Sequence, residues 1–103
     1  MRNITKIIVH CTATPEGRDV SVDTIRNWHV KERGWSDIGY HWVIGLDGSI
    51  NKGRDESIPG AHAKGYNSTS VGVVYVGGCD ANMKAKDTRT DAQKTSLHCL
   101  LQD

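Results

Sequence analysis

ITKIIVHC, residues Ile4 to Cys11, is the stretch that says most about the fold class. It holds four β-branched aliphatic residues in eight positions, and its apolar run is nearly continuous from Ile7. A run of this kind is typical of a strand that is covered on both faces, because a half-exposed strand alternates apolar with polar residues. The pattern therefore predicts a central strand, with His10 at its C-terminal end.

A helix and a hairpin are predicted next. Ser21 is placed to cap a helix whose apolar residues recur at helical spacing, and Gly34 is placed to end it. Asp47-Gly48 is a turn signal between two runs of strand-forming residues. We expect these runs, Tyr40 to Ile44 and Ser49 to Lys52, to pair antiparallel.

The last third of the chain adds one strand and one helix. VGVVYV, residues Val71 to Val76, predicts a further buried strand. The capping-box pattern from Thr90 to Gln93 opens a helix with three leucines on one face, Leu97, Leu100 and Leu101. Together the elements predict an α/β fold with a central mixed β-sheet flanked by helices.

Length and composition restrict the class of protein. A chain of 103 residues fits one domain, residues 1–103, because it can bury a single modest core. The net charge of +1 gives no field that would gather nucleic acid or an anionic membrane surface. No run reaches the roughly 18 apolar residues of a membrane span, and the N-terminus does not resemble a signal peptide. We expect a monomer made in the cytoplasm, with its three cysteines as free thiols.

Two residues at strand ends are candidates for chemistry. His10 is either a polar residue satisfied at the end of a strand or a metal ligand, and one histidine without partners does not choose between them. Alternation places Tyr40 and Trp42 on one face of their strand, where core packing alone would explain both. A buried-edge tyrosine hydroxyl can also donate a hydrogen bond to a developing oxyanion.

The segment GAHAKGYN, residues Gly60 to Asn67, is a candidate binding loop. Its small residues let a ligand approach the backbone, and its polar side chains can hydrogen-bond a ligand. A solvated loop has the same composition, so both interpretations stay open. Elsewhere, we expect His29 to be a partly exposed helical residue without a catalytic part, and His98 and Cys99 to be structural.

The ordered blocks IIVHCTAT, IRNWH, GWSDIGYHWVIGLDGSI, GRDE, GAHAKGYN and SVGVVYVGG closely resemble the type 2 N-acetylmuramoyl-L-alanine amidases. The likeness is greatest to the small phage lysozymes that are amidases and weaker to the peptidoglycan recognition proteins. It runs from about Ile4 to Leu101. The resemblance implies an enzyme that binds muramyl peptide and cuts bacterial peptidoglycan between sugar and peptide.

The resemblance also implies roles for particular residues. His10 takes the place of a zinc ligand, and Tyr40 that of the tyrosine that assists hydrolysis near the metal. His62, Ala63 and Asn67 take the places of substrate contacts along the groove. Zn²⁺ is the implied cofactor, and it would polarise the lactyl carbonyl and activate its bound water. Trp28, Trp35 and the VGVVYV strand match parts that are mainly structural in the family.

One departure from the family pattern bears on activity. The family completes its zinc site with a second His and a Cys, which we expect downstream of Asp103. A catalytic zinc site normally needs three protein ligands, so the 103-residue chain by itself is expected to be inactive. Either the chain is the N-terminal two thirds of a longer amidase, or it is a natural remnant that binds cell-wall fragments without cutting them. The lack of a cap on the last helix favours the first explanation.

Overall fold

The computed structural model describes residues 3–34 and 37–102, without the side chains of Leu101 and Gln102. Trp35 and the side chain of Leu101 therefore lie outside the described residues. The strands are β1 (Lys6–Cys11), β2 (Thr14–Pro15), β3 (Trp42–Ile44), β4 (Ile50–Lys52), β5 (Ser70–Tyr75) and β6 (Gly78–Cys79). The helices are α1 (Val22–Asn27), which continues as a π-helical turn over Trp28–Glu32, and α2 (Asp91–Gln102), with a 3₁₀ turn at Asn67–Thr69.

The main sheet is mixed, as the sequence predicts. Its four strands have the order β1-β5-β3-β4, with β5 parallel to both neighbours and β3 antiparallel to β4. Five of the six residues of β5 are buried and β5 has a neighbour on each side, so the VGVVYV segment lies largely in an inner strand of the sheet. The small β2–β6 pair, which the sequence analysis did not predict, extends the parallel arrangement beyond Gly77.

The prediction that the first strand is central is wrong. β1 lies at the edge of the sheet, and its residues Ile7 and Val9 are 38% and 42% exposed. A continuous apolar run shows that both faces of a strand are apolar, but it does not show how many neighbours the strand has. Ile7 instead lines an open apolar cavity of about 220 Å³, together with Trp42, Val73 and Leu100.

Apolar side chains pack on both faces of the sheet. Val74 and Val43 pack against α1 through Ile25, which is 1% exposed. Val73 packs against α2 on the opposite face, through Leu97. Burial of one such side chain contributes about 1.5–3 kcal/mol, so these contacts hold both helices to the sheet.

Both predicted helix starts are confirmed. The Ser21 hydroxyl accepts a hydrogen bond from the backbone N–H of Thr24. Thr90 and Gln93 form a reciprocal capping box, at 2.9 and 3.1 Å.

In the described ranges no helix has the length and apolar character needed to cross a membrane. Cys11, Cys79 and Cys99 are free thiols, as expected.

Candidate functional site

The C-terminal end of β1 brings His10 to two aromatic rings from other parts of the chain. Its ring centroid lies 5.4 Å from that of Tyr40 and 5.1 Å from that of His62. The Nε2 atom of His10 is 2.9 Å from the Nδ1 atom of His62. Partial burial lowers the pKa of His10, so its neutral form is favoured near neutral pH. His10 is thus a neutral imidazole in contact with both other candidates.

Tyr40 lies between two histidines. Its ring is 5.5 Å from that of His29 and 6.3 Å from that of His62. Burial raises the pKa of Tyr40, while the nearby Arg33 guanidinium acts in the opposite direction. The phenol therefore keeps its proton near neutral pH and can donate a hydrogen bond.

The prediction that His29 is partly exposed is wrong. It is 7% exposed, and its Nδ1 atom accepts a 2.8 Å hydrogen bond from the backbone N–H of Gly39. Helical spacing did not predict this contact, because Gly39 is ten residues further along the chain and lies outside the helix. His29 thus anchors the segment that leads into Tyr40.

Burial lowers the pKa of His29, and the charges of Arg33 and Arg54 lower it further. The unfolded chain therefore takes up this proton more readily, so stability is expected to fall as the pH drops below about 6.5 and to level off below the folded-state pKa. Urea unfolding at a series of pH values measures the effect. His29→Gln keeps an acceptor for Gly39 but does not titrate, and should lose less stability in acid. Equal acid sensitivity in both proteins would contradict this assignment.

Glycines make room for the ring of His62. A Cβ atom at Gly72 would lie 2.6 Å from ring carbons of His62, and one at Gly60 would lie 2.7 Å away. Real side chains do not approach so closely, so both positions require glycine while His62 keeps its place. The glycine of VGVVYV is therefore part of the site as well as part of a strand.

His41, which the sequence analysis did not single out, supports the site through two hydrogen bonds. It is fully buried, with Nδ1 accepting from the backbone N–H of Gly72 at 2.9 Å and Nε2 lying 2.8 Å from the carbonyl of Ile58. Because Nδ1 accepts, the ring proton is on Nε2 and is donated to Ile58. His41 thus joins β5 to the loop that carries His62. Its position next to Tyr40 predicts which face of the strand His41 occupies, but it does not predict these long-range partners.

Asn67 holds the candidate loop in shape. Its Oδ1 atom accepts hydrogen bonds of 2.9 Å from the backbone N–H groups of both His62 and Ala63. Three predicted substrate contacts are thus brought together, and these polar groups already bind one another. Any contact of Ala63 with a ligand would use its methyl group or its carbonyl.

A second loop anchor is Arg54, from the GRDE block. Its guanidinium donates to three backbone carbonyls, those of Asp37, Ile38 and Pro59, at 2.8–3.2 Å. It thereby ties the segment before Tyr40 to the segment before His62. Arg54 therefore has a structural role, because its guanidinium binds three carbonyls at once. The sequence alone gave no signal for these three partners.

An open groove lies beside Tyr40 and His62. A cavity of about 420 Å³ is lined on one side by His29, Arg33 and Tyr40 and on the other by the His62 loop. A smaller cavity of about 200 Å³ shares the first three residues and continues toward Trp28. Besides neutral groups, the larger cavity has the cationic side chains of Arg33 and Lys64 in its lining. The groove therefore suits an extended ligand with polar or anionic groups.

A complete metal site is not formed by the described residues. Among residues 3–34 and 37–102, no group of three His, Cys, Asp or Glu side chains could hold a metal ion. His10 offers one neutral imidazole, whereas catalytic zinc normally takes three protein ligands. The donors present thus account for one ligand of the zinc site that the resemblance implies.

A family model described as N-acetylmuramoyl-L-alanine amidase matches residues 1–103. The chain belongs to this amidase family. Among curated relatives, the endolysin of Klebsiella phage KP32 is 52% identical over 96 residues, which cover 93% of this chain and 63% of the endolysin. Peptidoglycan-recognition protein SC2 of Drosophila melanogaster is 36% identical over 101 residues, which cover 93% of this chain and 52% of that protein.

Solved structures agree with the fold. The N-acetylmuramoyl-L-alanine amidase LysC from Clostridium intestinale superposes with a TM-score of 0.83 at 35% identity, covering 98% of this chain and 62% of that chain. The chain therefore spans less than two thirds of the length of the relatives it matches here.

Proposed function

We propose that the protein hydrolyses the amide bond between N-acetylmuramic acid and L-alanine in bacterial peptidoglycan, as a zinc enzyme that acts on the cell wall. The observation that carries the proposal is that Tyr40 and His62 line an open groove while both of their rings lie against that of His10, in a chain of the amidase family. A protonated phenol next to a neutral imidazole is a suitable pair for stabilising the charge that develops in amide hydrolysis.

The residues of this chain would have distinct tasks. The groove between Arg33 and the His62 loop would hold the muramyl peptide. Tyr40 would donate a hydrogen bond to the carbonyl oxygen as negative charge develops on it. His10 would be one zinc ligand, and the resemblance implies a further His and a Cys as the other two.

A second candidate is a peptidoglycan-binding module without catalysis. It is favoured by one observation, that the described residues supply no group of three metal ligands. The relatives include a peptidoglycan-recognition protein, whose name denotes binding. The two candidates share the groove and differ in hydrolysis.

Binding is tested first, with the chain alone. Calorimetric titration with N-acetylmuramoyl-L-alanyl-D-isoglutamine should show a one-to-one complex. Ala63→Phe should abolish binding, because Ala63 lines the groove and a phenyl ring would fill it. The matched control is Ala81→Phe at an exposed alanine in a turn. A wild-type chain that binds no muramyl peptide would contradict both candidates.

Hydrolysis separates the candidates. We would join the chain to the part of the Klebsiella phage endolysin that it does not span and measure release of L-alanine amino groups from peptidoglycan. Zinc-dependent release that stops with a chelator supports the hydrolase. Muramyl-peptide binding by the folded hybrid, without release of amino groups, supports the binding module.

A further inference from the structure

The hydrogen bonds around His62 fix where its ring proton lies. Ser70 is fully buried, and its hydroxyl donates to the carbonyl of Tyr66 at 2.7 Å. A serine hydroxyl has one proton to donate, so toward the Nε2 atom of His62, 3.3 Å away, its oxygen acts as the acceptor. His62 therefore carries its proton on Nε2, and its Nδ1 atom presents a lone pair.

The position of the His62 proton also fixes that of the His10 proton. The 2.9 Å contact joins His10 Nε2 to His62 Nδ1, and one of these two nitrogens must supply the proton. Since His62 Nδ1 is the acceptor, the donor is His10 Nε2. The lone pair of His10 is then on Nδ1.

We infer that His62 is a positioning residue, which holds His10 with its proton on Nε2 and presents Nδ1 as the atom that can bind a metal ion or accept a proton. The use of that atom in hydrolysis rests on the proposed function. The arrangement itself rests on the described contacts. In many metal sites a second group accepts the other ring N–H of the ligating histidine, and here a neutral histidine would take that place.

The hydrogen bonds of His62 limit the contacts it can make with a substrate. Both of its ring nitrogens are engaged, one with Ser70 and one with His10. Its backbone N–H donates to Asn67. A ligand in the groove would therefore meet the ring carbons of His62 in van der Waals contact, and polar recognition would fall to other groups.

Nitrogen NMR of the ¹⁵N-labelled chain tests the direction of the bond. We expect a scalar coupling across the hydrogen bond between His10 Nε2 and His62 Nδ1, with the one-bond N–H coupling on His10 Nε2. A proton bonded to His62 Nδ1 would overturn the inference. So would the absence of any coupling between the two rings in the folded chain.

Variants give a second readout, the exchange rate of the His10 ring proton with water. His62→Leu should raise this rate about fivefold or more, as expected for the loss of one hydrogen bond. His62→Gln offers a carbonyl acceptor and should restore much of the protection. Gly72→Ala keeps His62 but displaces its ring, and should also raise the rate. His98→Leu, at an exposed histidine of α2, is the control.

The outcomes separate this inference from the proposed function. Equal exchange rates in wild type, His62→Leu and Gly72→Ala would overturn the positioning role, even if the chain binds muramyl peptide. If the wild-type chain does not bind muramyl peptide but shows the scalar coupling between His10 and His62, the result would count against the proposed function alone.

Discussion

Tyr40→Phe is expected to lower the rate of amide hydrolysis about a hundredfold, a typical loss when one oxyanion donor is removed. The substitution removes one oxygen from a half-buried ring, so the packing against His10 and His29 should persist. The rate is measured as release of L-alanine amino groups by the hybrid with the Klebsiella phage endolysin. Zinc content and muramyl-peptide affinity should stay close to those of the parent.

The matched control for this prediction is Tyr66→Phe. Tyr66 belongs to the candidate binding loop, but it is 52% exposed and does not line the groove. Removal of the Tyr66 hydroxyl should leave the rate of amide hydrolysis nearly unchanged. Full activity of the Tyr40→Phe enzyme would show that the phenol is not the oxyanion donor.

His41→Leu is expected to lower the free energy of unfolding by about 3 kcal/mol. Leucine has a similar size but leaves the buried N–H of Gly72 and the carbonyl of Ile58 without their partner, and each such loss costs about 1–3 kcal/mol. For a domain of this length the midpoint of thermal unfolding should fall by roughly 12–24 °C. Circular dichroism during heating measures it.

An exposed histidine again provides the comparison. His98→Leu removes an imidazole from the surface of α2 and should change the midpoint by only a few degrees. If both variants melt at nearly the same temperature as the parent, the two hydrogen bonds of His41 do not hold the loop to the sheet.

The elements that local patterns predicted correctly are those whose partners are near in sequence. Asp47-Gly48 turns the chain between β3 and β4, and Thr90 caps α2 through Gln93 three residues away. A strand such as β5 was also predictable, because apolar residues on both faces require burial. In each of these the physics acts within a few residues or through composition alone.

Sequence reasoning failed where distant partners decide the outcome. β1 has the apolar run of a central strand, yet its position at the edge depends on which strands lie beside it. His29 is buried and accepts a hydrogen bond from Gly39, ten residues further along the chain, and helical periodicity does not encode that contact.

The candidate site was predicted in part. The resemblance drew attention to His10, Tyr40 and the His62 loop, and the structure places these side chains beside one another. The resemblance did not reveal the roles of Ser70 and His41. Those roles depend on hydrogen bonds to distant parts of the chain and not on a recognisable motif. Whether His10 binds zinc and Tyr40 assists catalysis stays a prediction.

The open apolar cavity beside β1 affects how the molecules behave toward one another. A formal net charge of +1 provides little electrostatic repulsion between molecules near neutral pH. β1 borders this cavity as an edge strand with Ile7 and Val9 partly exposed, and an apolar edge strand of this kind favours reversible self-association in concentrated solution. Dilute samples, or a mild detergent that covers Ile7 and Leu100, are therefore the conditions that keep the chain dispersed.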